Sequence, residues 1–454
     1  MGDPVRKDFD FGDTLIENYM KVFSGYSFHN ESYGKISLHV IIGQALCKNV
    51  YYRVGTSKKD IRVHLLLIKP QGTGKGAGYD CVEAMASGVS LNFQSLTEST
   101  DAGLVGTTEV DYDTKERIEV PGLLKTADVI GMEEASVIFD LTSEFSKKNM
   151  TYFQITMNSI WSKSNEINKR LGGLDIKIKP HASFVFTTYP PDKLVDKILK
   201  TGFLDRVIPI FEDVTLVDRL ETIRQMARNT NVSTAESYAK ERERVVQCLK
   251  VVIDKYNKSD ICIVIPDNIL QLMTNVIDDF AMKIFDASPK ARQKLEHFIT
   301  RFYGNLINLA VHHALLSLRT TLDVSDVGYA RYVLLPIWQN LIISIESLLI
   351  ISPTETSRLH RILRTSIDEY DLQIKLGKFV KEGNWVRRRT MVENLQPKWD
   401  NCSWETADTN LRKLEKLPAS LATEYEKLTR YEKDKFFEAK PIGDVVYIRK
   451  IKEI

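Results

Sequence analysis

The sequence predicts an α/β chain in three parts. A phosphate-loop α/β domain with leading helices covers 1–212, an all-helical block 213–351, and a winged helix-turn-helix 358–454. Three observations carry this prediction. In "HLLLIKPQGTGKGAGYD", residues 64–80, an apolar strand runs directly into a glycine loop and a helix. Further strand-like runs then alternate with helical ones, which implies a parallel sheet. Beyond about residue 215 the apolar spacing turns almost wholly helical.

In chain order, residues 14–50 show helical periodicity around a turn near "HNESYGK". "DIRVHLLLI" is a continuous apolar run, as a strand buried on both faces requires. After the glycine loop, "YDCVEAMASGV" continues as a helix. "SLNFQSLT" (90–97), "ADVIGM" (127–132) and "HASFVFTTYPP" (181–191) have strand character. In the helical block the one strand-like exception is "ICIVIPD", around 261–267, and "SPTETS" at 352–357 reads as a linker. Next, "NWVRRRTMVENLQ" reads as the opening of a helix, and "NCSWETADTNLRKLEKL" as a second helix capped by Ser403. "FFEAKPIGDVVYIRKI" alternates like a hairpin, and helix, helix, hairpin is the winged helix order. The second helix would expose Thr406, Asn410, Arg412 and Lys413 to DNA, while Glu405, Asp408 and Glu415 oppose phosphate contact. Base reading and protein contact both stay open for this domain.

Composition narrows the function classes. The 454 residues are 43% hydrophobic and 27% charged, ordinary for a globular protein, and a net charge of +2 leaves any nucleic-acid surface to local patches. Cys47, Cys81, Cys248, Cys262 and Cys402 form no C-x-x-C pair, which argues against zinc and disulfides and suits a reducing cytoplasm. "MGDPVRKDFDFGD" has no apolar signal core, and Arg6 stands where myristoylation needs Ser or Thr. "LPIWQNLIISIESLLI" (335–350) is too short and too polar to span a bilayer, so no membrane partner is expected.

The pattern G-x-x-x-x-G-K-[ST] wraps phosphates in backbone N–H groups and a helix N-terminus, with the lysine on the terminal phosphates and the hydroxyl on magnesium. Here the register is Lys69-Pro70-Gln71-Gly72-Thr73-Gly74-Lys75-Gly76. Lys69 replaces the first glycine and Gly76 the hydroxyl. Gly72, Thr73, Gly74, Lys75, Gly76 and Ala77 are therefore the expected phosphate cradle, with ATP and Mg2+ as the cofactors. Without a hydroxyl at 76, the ion must be held through water, by carboxylates or by the phosphates. Glu133 and Glu134 close the strand "ADVIGM". The first would hold magnesium through water, the second would polarise the attacking water. A solvated pair opening a helix is the alternative.

"STDAGLVGTTEVDYDTKERIEVPGLLKTADVIGMEEAS" (99–136) resembles the stretch of minichromosome maintenance (MCM) helicases that leads through a β-hairpin insert to the acidic pair. Gly103-Leu104-Val105-Gly106 and Ala127-Asp128 carry the likeness. "FVFTTYPP" resembles the family's sensor-1 strand, with Thr187 or Thr188 to orient the lytic water. "TGFLDRVIPIF" resembles the arginine-finger element, pointing to Arg206. "RFYGNLINLAVHHALLSLRTTLDVSDVGYA" resembles the helical lid, with Arg301 at sensor 2 and Asp323 to Val327 at its turn. The same segments are similar to a broader group of AAA+ ATPases from plasmids, viruses and integrated elements. The resemblance covers roughly 30–345 and the C-terminal domain. The family's amino-terminal oligonucleotide-binding and zinc-binding domains have no counterpart in this sequence.

What the resemblance implies is an AAA+ P-loop α/β ATPase domain with an all-helical lid, followed by a winged helix. Arg206 and Arg301 would act on a neighbouring protomer's nucleotide, hence a homo-oligomer, as a hexameric ring. "NEINKRLGGLDIKIKPH" (165–181) signals a hairpin at Gly172-Gly173. In MCM-like proteins a hairpin at this point grips the DNA backbone, which would employ Lys169, Arg170, Lys177 and Lys179; a solvated hairpin is the alternative. The function implied is ATP-driven DNA unwinding or translocation in replication. A replication initiator or helicase loader, or a degenerate ATPase kept as a DNA-binding scaffold, are the other readings.

Overall fold

The computed structural model describes residues 10–349 apart from 28–29, 97–100, 111–116, 136–150, 158–165, 172–173, 190–202, 213, 215, 230–231 and 288, and beyond these 386–387, 437–442 and 445–450. It divides into two units, Met1–Glu346 and Ser347–Ile454.

Helices α1 (Asp13–Tyr26) and α2 (Glu31–Leu46) are followed by an antiparallel pair, β1 (Val50–Val54) and β2 (Ser57–Lys59). All four residues of β3 (Leu65–Ile68) are buried, as the unbroken apolar run predicts. Next come α3 (Lys75–Gly88), β4 (Phe93–Ser95), α4 (Asp101–Val105) and the hairpin of β5 (Gly106–Val110) with β6 (Arg117–Pro121). After α5 (Leu123–Thr126) lie β7 (Val129–Met132), the hairpin of β8 (Ile167–Leu171) with β9 (Leu174–Ile178), β10 (Ser183–Thr188) and β11 (Ile208–Phe211).

The central sheet runs β11-β3-β10-β7-β4, every neighbouring pair parallel. All carboxyl ends therefore open on one edge, where parallel α/β sheets place ligands. Sequence reading passed over β11, because "IPIF" is short and holds a proline. Among the described residues the strand pairs with β3 alone, and an edge strand tolerates Pro209, which has no N–H to donate. α2 crosses β3, β10 and β11 and is apolar nearly all round, with Tyr33, Ile36, Leu38, Val40, Ile41 and Ile42 fully buried. Such a helix belongs in a core.

Among the described residues the helices that follow are α6 (Leu216–Asn229), α7 (Val232–Tyr256), α8 (Asp267–Asp286), α9 (Pro289–Leu295), α10 (Phe298–Leu316) and α11 (Val324–Leu349). They share one compact unit with the sheet. α7 packs on α1, α2 and α3, and α10 on α2. β12 (Ile261–Cys262) adds in parallel to β1. Phe280 stacks on Phe302 at 4.2 Å with Trp338 edge-on to both, a second aromatic core.

The second unit contains an antiparallel sheet of β13 (Val386–Arg387), β14 (Phe437–Ile442) and β15 (Val445–Lys450), ordered β13-β15-β14. The terminal hairpin matches the alternating pattern. Val386–Arg387 is a correction: a helix opening was expected, but these residues pair with Tyr447 and Ile448. Two residues carry no readable period, so only the partner strand settles them. Residues 401–436, with the expected recognition helix and Arg412 and Lys413, lie outside the described residues. Among the described residues no helix is long and apolar enough to cross a membrane.

Histidines stitch the helical block to α1 and α2. His39 of α2 stacks on His312 of α10 at 5.3 Å and shares a 3.0 Å hydrogen bond with the Tyr329 hydroxyl. His313 meets Asp326 at 2.6 Å and Asp13 at 3.0 Å, while Arg319 donates to the fully buried Asp326. Burial holds His39 and His64 well below the usual histidine range and pushes His312 down to about 3. His313 goes the other way: burial lowers it, but Asp326 and Asp13 outweigh burial and raise it.

A histidine buried neutral contributes stability above about pH 6.5 that is lost on acidification, because the unfolded chain takes up the proton first. His313, with its raised value, partly offsets this below that pH. Three against one gives a net loss. Urea unfolding should show stability falling between pH 7 and pH 5, by roughly 2 kcal/mol per buried neutral histidine at the lower end. A pH-independent midpoint across that window would contradict the neutral burial of these rings.

Candidate functional site

The glycine loop leaves β3 at Ile68 and enters α3 at Lys75. Gly72 (φ +69°) and Gly74 (φ +76°) are left-handed, which side-chain-bearing residues rarely adopt, so the two glycines make the turn possible. The Thr73 hydroxyl donates to the Pro70 carbonyl at 2.8 Å. Gly74 caps α3 with no side-chain acceptor, so the first-turn N–H groups and the positive helix end face the loop.

Lys69, where the pattern has its first glycine, points behind the loop. Its ammonium is buried and donates to Asn30 Oδ1 at 2.7 Å and to Glu212 Oε2 at 2.8 Å. Asn30 Nδ2 donates in turn to the Thr73 carbonyl at 3.0 Å, and the Ser27 hydroxyl to the Gly74 carbonyl at 2.7 Å. Sequence reading missed both residues. Asn30 stands at the α2 N-cap, a position where asparagine signals only a helix start, yet its side chain makes no capping bond and turns to the loop. Arg219 of α6 was missed as well; it donates to the Gln71 carbonyl at 2.8 Å.

Lys75 Nζ donates to the carbonyls of Lys69 (2.7 Å) and Thr188 (3.0 Å) and lies 3.7 Å from the Tyr189 ring centroid. Burial lowers its pKa to about 8, Lys69 acts in the same direction, and Glu134 and Glu133 oppose them. The carboxylates come from the end of β7. Thr187 donates its hydroxyl to the Glu133 carbonyl, pinning that backbone, whereas Thr188 approaches Glu134 Oε1 at 3.4 Å. The sequence left Thr187 and Thr188 as equals; the alternation of β10 divides their tasks. A Cβ built on Gly76 would sit 2.6 Å from Glu133 Oε1. Loop, Glu133, Glu134, Leu96 and Tyr189 enclose a cavity of about 380 Å³, within the range of small-molecule sites. Ala77, half-buried, follows in the first turn of α3.

Arg206 and Arg301 lie elsewhere. Arg206 ends the 3-10 turn Leu204–Arg206, and Arg301 sits in the first turn of α10. Burial lowers both pKa values; Arg206 lowers that of Arg301 further, while Asp205 raises both. The two guanidinium groups are thus brought near each other, and neither lines the cavity of their own chain.

Hairpin β8–β9 separates its four basic residues by face. Arg170 (3.5 Å from Asp175), Lys177 and Lys179 (3.2 Å from Glu166) are exposed. Lys169 shares the inner face with Ile167 and Ile176 and, half-buried, donates to the Gly106 carbonyl at 3.1 Å. The turn Gly172-Gly173 lies outside the described residues. Among the described residues no group of three or more His, Cys, Asp or Glu side chains could hold a metal by itself.

No protein-family model matches the chain, and no curated protein matches it significantly.

The loop's rear support sets an expectation for stability. Asn30→Ala leaves the buried Lys69 ammonium one acceptor short and the Thr73 carbonyl without its donor. Chemical unfolding should register a loss of about 1–3 kcal/mol.

Proposed function

We propose that the chain is an ATPase of the AAA+ class and MCM-like type, coupling ATP hydrolysis to DNA unwinding or translocation. One observation carries the reading: Lys75, Glu133 and Glu134 converge on a single cavity beside a left-handed glycine loop. The residues suit a nucleotide triphosphate with Mg2+. Backbone N–H groups of 72–77 and the start of α3 donate to the phosphate oxygens. Magnesium is seldom held by protein alone, and the Glu133 carboxylate plus phosphate oxygens and waters would form an ordinary set for it. Bound there, the ion neutralises charge on the terminal phosphates.

Lys75 then exchanges two carbonyls for phosphate oxygens, a transfer favoured because the carbonyls only hold the ammonium in place. Glu134 takes the proton of the attacking water, and the Thr188 hydroxyl keeps that carboxylate oriented. Arg206 and Arg301 reach the phosphates of an adjacent protomer, which makes the working form a homo-oligomer, most simply a hexameric ring. The exposed edge of β8–β9, with Lys177 at its centre, meets the DNA backbone.

Titration calorimetry should detect ATP binding that Lys75→Ala weakens at least about tenfold. Glu134→Gln should keep that binding and lower turnover by roughly 10²–10⁴. Unchanged turnover in the glutamine variant would remove Glu134 as the base.

The hairpin makes a separate forecast. Lys177→Ala should reduce the slope of log affinity for DNA against log salt by about one, whereas Lys169→Ala should leave the slope in place. Equal effects from both would mean the faces are not distinguished.

A further inference from the structure

Gly76 and Glu133 both depart from the phosphate-loop pattern, and they meet. Gly76 lies in the first turn of α3, and a Cβ there would come within 2.6 Å of Glu133 Oε1, closer than real Cβ contacts allow. A hydroxyl-bearing side chain at 76 and the present carboxylate position exclude each other. We infer that Glu133 ligates the metal directly, in the place that the loop hydroxyl holds in the usual pattern. This rests on the nucleotide reading above and replaces the water-mediated role expected from sequence.

Reach makes the exchange work. The Glu133 backbone is fixed by the Thr187 hydroxyl, and two residues on the Ala135 N–H donates to the Thr187 carbonyl at 2.8 Å, so the strand end does not slide toward the loop. The extra methylene of glutamate carries the carboxylate across instead. At the start of α3 it lies where the helix dipole favours an anion. Direct ligation to magnesium needs oxygens at about 2.0–2.1 Å, and an acid acting through water would stand off by a further ligand layer. Bound so, the Glu133 carboxylate would fill the position that Gly76 leaves without a hydroxyl and that water would otherwise occupy, an anionic oxygen in place of a neutral one.

The test is a double-substitution cycle with Glu133→Asp, Gly76→Ser and the pair, read as ATP affinity by calorimetry in EDTA and in Mg2+. Thermal unfolding checks that each variant is folded. In the Gly76 background, Glu133→Asp should remove at least about tenfold of the Mg2+-dependent gain in affinity. In the Gly76→Ser background the same change should cost less than about threefold, since the hydroxyl then has both space and role. Mn2+ with bound nucleotide offers a second readout. Glu133→Asp should raise water-proton relaxivity by about one inner-sphere water. Equal costs in the two backgrounds, or unchanged hydration, would overturn the direct ligation. Binding in EDTA without any gain from Mg2+ overturns this inference alone, whereas no ATP binding under either condition removes the nucleotide reading and this inference with it.

Discussion

The site depends on one buried ammonium. Lys69 leaves the end of β3 with its charge almost wholly out of water, a position a lysine holds only when its donors are met. Asn30 and Glu212 meet them at 2.7 and 2.8 Å, and they come from the start of α2 and the end of β11. Three elements far apart in sequence are thereby tied at the root of the glycine loop. Removing either partner strands the charge, so the tie specifies the arrangement even where its net contribution to stability is modest.

From that root the rest of the loop follows. Asn30 and Ser27 hold the carbonyls of Thr73 and Gly74 from behind, so the N–H groups of the turn face forward. Lys75 is parked on the carbonyls of Lys69 and Thr188 under the Tyr189 ring, with its proton affinity lowered by burial. The departures from the pattern therefore come in compensating pairs. The lysine at 69 has its acceptors, and the glycine at 76 has the longer acid at 133.

Much of this was legible in the sequence for a physical reason. Strands β3, β7 and β10 are buried on both faces and read as unbroken apolar runs, and the glycines at 72 and 74 mark a turn that other residues rarely make. Hairpins β8–β9 and β14–β15 announced themselves by alternation. Edge and short elements did not. β11 carries a proline that only an edge strand accepts, β2 is three residues long, and Val386–Arg387 is strand only because β15 lies beside it. Lys169 reads as one more basic residue of its hairpin, yet pairing with Ile176 places it on the inner face.

Local chemistry was thus fixed by the sequence alone: where the chain turns, which runs are buried, and which residues can hold a phosphate, take a proton or carry positive charge. Convergence was decided by the tertiary structure. Asn30 and Lys69, or Gly76 and Glu133, are separated by dozens of residues, and no periodicity records that their side chains share a few ångströms of space. Helical and strand periods report which face of an element is buried. They carry no information on which partner buries it, and that choice is made by the sheet order that sets β10 between the glycine loop and the acids.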